Sequence, residues 1–95
     1  LSVAGASVGY AQRMLDCGLQ YALERKAFGE PIANFQLIQA MLADSKAEIY
    51  AAECMLRDAC ARADRGEKII IEAAATKMFA SEMCGRVADR VVQIH

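Results

Sequence analysis

Between residues 24 and 36 the chain gathers two cations, an aromatic ring and a side-chain amide: Arg25, Lys26, Phe28 and Gln36, around the only proline, Pro31. An arginine fork can clasp a phosphate through two parallel N–H bonds, and a neighbouring ammonium adds point charge. The competing role is simpler, since cations in the last turn of a helix complement its dipole without any ligand. On residue types alone the simpler role is favoured. Phe28 could equally be a hydrophobic staple at the turn, and Gln36 a solvated side chain.

Other chemistry-bearing residues are sparse. Asp44 and Glu48 stand one helical turn apart, as an acid–base pair could, but adjacent carboxylates on a long helix are more often a solvated face or partners of nearby cations, here Lys46 and Arg57. The single histidine, His95, is the last residue. The four cysteines, Cys17, Cys54, Cys60 and Cys84, contain no Cys-x-x-Cys pair, so with one histidine no zinc set is expected. They are expected to be buried free thiols in a reducing compartment. No residue is assigned as catalytic and none as a metal ligand.

Three long helices must position these groups. The first is expected over about 1–23, with Leu1, Ala4, Val8, Ala11, Leu15, Gly18 and Ala22 recurring at three- and four-residue steps. Gly18 is expected to allow close helix packing; for Gly5 and Gly9, packing and approach to a ligand stay equally open. A break follows, because Pro31 drives Glu30 out of the helical region and Gly29 offers a left-handed residue to end a helix. Asn34 is expected to cap the second helix, over about 35–64. Its seam is Phe35, Ile38, Leu42, Ser45, Ile49, Ala52, Leu56, Ala59 and Ala63, and Gly66 ends it. The third helix is expected over about 69–95. It carries one stripe through Ile69, Ala73, Thr76, Ala80, Met83, Val87 and Ile94, and a second through Ala74, Met78, Gly85, Ala88 and Val92. Short connections favour an all-α, antiparallel up-down bundle.

Ninety-five residues allow one small domain, over 1–95. Its hydrophobic fraction of 56% exceeds the usual 45–50% or so, while aromatics are only 6%. The two-sided stripes and this aliphatic excess predict surface to be covered by further domains or by self-association. A net charge of −1 gives no electrostatic case for nucleic acid or an anionic membrane. No run long enough to span a bilayer is present. The start lacks a basic leader, and the end stops in mid-pattern, so the chain is expected to be a piece truncated at both ends, from the cytoplasm or, for a eukaryotic source, the mitochondrial matrix.

The stretch Arg25-Lys26-x-Phe28-Gly29-x-Pro31-Ile32, followed by Phe35-Gln36, resembles the signature of the C-terminal helical domain of acyl-CoA dehydrogenases. The likeness continues through Leu42-Ala43-Asp44, Ala75 to Glu82 and Val92 to His95, nearly the whole chain. It implies three helices of a four-helix-type domain in a homotetrameric FAD flavoprotein. Such an enzyme oxidises acyl-CoA thioesters at the α,β bond and passes electrons to an electron-transferring flavoprotein. The resemblance also implies site roles, and these reverse the reading of the cations. Arg25, beside Lys26, would bind the pyrophosphate of an FAD held mainly by the adjacent subunit. Phe28 would pack by its adenine end, and Gln36 would contact the same cofactor. Phe35, which would also stand at the cofactor, takes the place where many members carry a histidine. Gln93 matches the glutamine of the family's Gln-x-x-Gly-Gly motif, on the adenosine portion. Val3 and Tyr10 would line the acyl pocket. The family's catalytic base, a glutamate, would fall outside these residues. A non-enzymatic helical oligomerisation module and an acyl-CoA oxidase are the alternatives.

Overall fold

A computed structural model describes residues 2–95, so Leu1 and its place in the first seam lie outside the described residues. The three expected helices are present: α1 (Ser2–Glu24), α2 (Gln36–Asp64) and α3 (Ile70–Ile94). Between α1 and α2 lie two two-residue strands, β1 (Lys26–Ala27) and β2 (Glu30–Pro31), and a single 3-10 turn over Ile32–Asn34. The strands pair antiparallel, Lys26 opposite Pro31 and Ala27 opposite Glu30.

Three- and four-residue spacing drives the packing. Ala4, Ala11, Leu15, Gly18 and Ala22 are buried on α1, Ser45, Ile49, Ala52 and Ala59 on α2, and Thr76, Ala80, Met83, Val87 and Ile94 on α3. The core formed by these faces is rich in alanine, which lets the helices approach closely, and its bulk comes from Leu15, Ile49, Met83 and Val87. Burying each of those larger side chains contributes about 1.5–3 kcal/mol. Close approach is tightest at Gly18, where a Cβ would lie 3.3 Å from Val91 Cγ2. Helix-on-helix packing is therefore what that glycine serves. Ala63, expected at the end of the α2 seam, is exposed.

The pairings fix the topology. Gly5 lies by Leu56, and the Lys46 ammonium approaches Gln12, so α1 and α2 run antiparallel. Arg90 and Arg86 of α3 reach Ser45 and Glu48 of α2, so these two are antiparallel as well. The chain thus goes up, down and up. The C-terminal end of α1, the N-terminal end of α2 and the C-terminal end of α3 share one end of a body 56 Å long and 17 × 16 Å across.

At the other end, α2 stops as expected at Gly66, with φ +80°. Glu67 N–H donates to the Arg62 carbonyl and Gly66 N–H to that of Ala63, the paired bonds of a Schellman motif. The N-terminus of α2 departs from expectation. Its cap is Phe35, extended at φ −80°, ψ 134°, with no side-chain capping bond. Asn34 closes the 3-10 turn instead, so its amide is one position too early to cap α2.

The cysteines also depart from expectation. All four are free thiols, but Cys17, Cys54 and Cys60 are exposed and Cys84 is half-buried. Cys17, Cys60 and Cys84 lie beside a seam residue rather than on the seam, about 100° around the helix from Gly18, Ala59 and Met83, and Cys54 lies about 200° around from Ala52. The outer faces of α2 and α3 are apolar and open in this chain. Ala40, Ala43, Ala47, Tyr50, Ala51 and Cys54 are exposed on α2, and Ile71, Met78 and Val92 on α3.

Candidate cofactor corner

The break between α1 and α2 is a miniature hairpin. Helix α1 ends at Glu24, and Gly29, expected to terminate it, instead forms the hairpin turn with Phe28. Phe28 has φ 55° and Gly29 φ 83°. Positive φ at both central residues is the type I′ arrangement, which usually takes Asn-Gly. A phenylalanine there costs about 1 kcal/mol or more of backbone strain. Nothing among the described residues repays it, since Phe28 is 99% exposed. It is therefore not the staple that its place at a turn suggested.

Arg25 is held by its backbone and free at its side chain. Its N–H donates to the Tyr21 carbonyl and its own carbonyl accepts from Ile32 N–H, each at 2.8 Å. The side chains of Arg25 and Lys26 are both exposed. Among the described residues, five arginines (57, 62, 65, 86 and 90) make ion pairs, and neither Arg25 nor Lys26 does. Phe35 is half-buried at the α2 cap and Gln36, exposed, is the first residue of α2.

Gln93 arrives from the last turn of α3, also exposed. The α3 end is tied to α1: Tyr21 and His95 rings stack with centroids 4.2 Å apart at 33°, and Tyr21 Oη donates to the His95 carbonyl at 3.4 Å. The fold thus brings Arg25, Lys26, Phe28, Phe35, Gln36 and Gln93 to one end of the bundle. Val3 and Tyr10 do not join them. They lie seven residues apart on α1, 51% and 68% exposed. From Val3 to Arg25 the helix rises about 33 Å.

A second polar cluster links α2 to α3 and was missed from the sequence. Glu48 accepts from Arg86 through one carboxylate oxygen and from Arg90 through the other. Arg90 also reaches the buried Ser45 hydroxyl at 3.4 Å, and the Arg86 guanidinium lies 5.8 Å from the Phe79 ring centre. Burial alone would raise the Glu48 pKa, but the bonds and charge of Arg90 and Arg86 outweigh it and hold the carboxyl below its ordinary value. The partners expected for this carboxylate are otherwise engaged: Arg57 pairs with Glu53, and Lys46 faces Gln12. The cluster clamps α2 to α3, with each carboxylate oxygen of Glu48 engaged by an arginine.

Between α1 and α2 runs a groove of about 440 Å³ lined by Gln12, Leu15, Asp16, Leu19, Leu42, Ala43 and Lys46, none of them a candidate site residue. Among the described residues no three His, Cys, Asp or Glu side chains group as a metal site. Among the described residues no helix is long and apolar enough to cross a membrane.

Residues 1–95 match the family model for the acyl-CoA dehydrogenase C-terminal domain. The chain is 46% identical over its full length to a probable acyl-CoA dehydrogenase, YngJ, of Bacillus subtilis, of which it covers 25%. It is 41% identical, again over its full length and 25% of the relative, to the CarC subunit of the caffeyl-CoA reductase-Etf complex of Acetobacterium woodii. Butyryl-CoA dehydrogenase from Megasphaera elsdenii superposes with a TM-score of 0.94 at 35% identity, over 97% of this chain and 24% of that one. The chain therefore spans about a quarter of the length of these relatives. With its whole length matched and its three helices superposed, the chain belongs to the acyl-CoA dehydrogenase C-terminal domain family.

Proposed function

We propose that these 95 residues work inside an FAD-dependent acyl-CoA dehydrogenase, where the corner at the end of the bundle binds the phosphate-bearing part of an FAD held mainly by a neighbouring subunit. The family is FAD-dependent. One observation carries the reading: residues far apart in sequence, Arg25, Lys26 and Phe28, then Gln36, then Gln93, lie at one end of the bundle with their polar and aromatic groups exposed. Arg25 would take a phosphate oxygen pair, Lys26 would add charge, and Phe28 would offer a face to the adenine. Gln36 and Gln93 would supply neutral hydrogen bonds, and Phe35 would hold the first turn of α2 in place. No side chain caps that turn, and its positive dipole end suits an anion.

FAD, when bound, supplies the hydride-accepting chemistry for oxidation of an acyl-CoA at its α,β bond. The base that removes the α-proton comes from outside these residues. Val3 and Tyr10, remote from the corner, would contact the acyl-CoA. The exposed apolar faces of α2 and α3 would be covered within a homodimer or homotetramer. The CarC relative is named as part of an Etf complex, which supports an electron-transferring flavoprotein as redox partner. The dehydrogenase name of the YngJ relative favours this activity over an oxidase or a non-enzymatic module. A cytoplasmic or matrix location fits the same reading.

The test is FAD retention by the full-length protein. A charge-assisted bond contributes about 1.5–3 kcal/mol, so Arg25→Ala should weaken FAD binding by roughly ten- to hundredfold while helicity is kept. Arg25→Lys should recover only part, since an ammonium lacks the fork. Stoichiometric FAD after dialysis of Arg25→Ala would reduce the corner to a helix end.

A further inference from the structure

Tyr21 touches both halves of the corner. Its backbone carbonyl accepts the Arg25 N–H at 2.8 Å, while its ring stacks on His95 at 4.2 Å and its hydroxyl donates to the His95 carbonyl at 3.4 Å. One turn earlier, Gly18 lets Val91 approach to 3.3 Å of where a Cβ would stand, so α1 and α3 are in register up to this point. His95 N–H donates to the Val91 carbonyl at 3.1 Å. Gln93 lies between these two fixtures, in the last turn of α3.

We propose that Tyr21 is a positioning residue for the cofactor corner. Its ring clamps the end of α3 through His95 and so holds Gln93 in register with Arg25. The inference rests on the cofactor reading above, but it assigns to Tyr21 a role that acts through Gln93 and needs no contact with FAD. A clamp of this kind lowers the entropy that Gln93 would otherwise lose on binding. It therefore predicts coupling between two residues that do not need to touch each other.

The experiment is a double-mutant cycle on the full-length protein, reading FAD affinity by titration of the apoprotein, with far-UV helicity as the control. Tyr21→Leu should weaken FAD binding by about three- to tenfold, the scale of a lost aromatic pair. Tyr21→Phe, which keeps the stack, should recover most of this. In a Gln93→Ala background, Tyr21→Leu should cost nothing further, because the residue it positions is gone. Equal losses in both backgrounds, or no loss in either, would overturn the proposal. If Tyr21→Leu fails to fold, His95→Ala removes the same ring contact from the other side and closes the same cycle. Arg25→Ala separates the two levels. If it weakens FAD binding while Tyr21→Leu does not, only this inference fails. If it binds FAD as the parent does, the cofactor reading fails and takes this one with it.

Discussion

The middle of the bundle and its cation corner use the same residue types to opposite ends. In the middle, Glu48 satisfies Arg86 and Arg90, Arg90 reaches Ser45, and Arg86 lies by Phe79. In the corner, Arg25, Lys26, Phe28 and Gln36 face solvent, and Phe28 sits in a left-handed conformation that its own packing does not reward. Polar groups that a fold uses for itself are paired inside the chain. In the corner the backbone is fixed while the side chains stay unpaired, and under the proposed function a ligand would take them up. The contrast also predicts how each region responds to change: substitutions in the middle should move stability, and those in the corner should move binding.

The largest stability effect is expected in the core beneath the clamp. Met83 is fully buried, so Met83→Ala should cost about 2–5 kcal/mol, read as a lowered denaturant midpoint at unchanged FAD affinity of the folded fraction. A loss under 1 kcal/mol would show a core loose enough to collapse around the gap.

Next comes the clamp itself. Glu48→Gln removes the charge that two guanidinium groups share, and should cost about 1–3 kcal/mol. The lower end is more apt because Arg86 is partly exposed, at 41%. The pH dependence has a definite sign. The folded-state pKa of Glu48 lies below its ordinary value of 4.5, so its contribution is present above pH 4.5 and is lost as pH falls through the folded value. Melting temperature should therefore drop more steeply in acid for the parent than for Glu48→Gln. Parallel profiles would mean the clamp carries no charge-dependent stability.

The smallest effect on stability is expected from the thiols. Cys17 and Cys54, exposed on outer faces, should react with a thiol reagent in these residues without unfolding, and Cys84 more slowly. Protection of Cys54 in the assembled protein would place the open α2 face inside an interface.

Sequence legibility follows the same division. The three- and four-residue steps located the buried faces, because a helix has one periodicity and burial must follow it: Ala4, Ala11, Leu15, Gly18 and Ala22 all lie inside. The same geometry should have excluded the cysteines, since Cys17 is the neighbour of Gly18 and points a quarter-turn or more away from the seam. Glu48 with Arg86 and Arg90 was not legible as a pair, being 38 and 42 residues apart. The available signal was weaker: a carboxylate beside Ile49 on the shoulder of one seam, and two arginines one turn apart flanking Val87 on another. At the corner, Pro31 and Gly29 announced a break but not its form. Phe-Gly does not advertise a type I′ hairpin, and the unusual residue in that turn became visible only with its φ angle.

That residue gives the most direct test of the central claim, that the corner is built for a ligand at some expense to the fold. Asparagine tolerates positive φ far better than phenylalanine and is the usual partner of glycine in this turn. In the full-length protein, Phe28→Asn should leave the apoprotein as stable as the parent or more so, by up to about 1 kcal/mol, while FAD affinity falls. Stability and affinity moving in opposite directions is the predicted result. An apoprotein that loses stability with unchanged FAD affinity would contradict it, and would make Phe28 a residue of the fold.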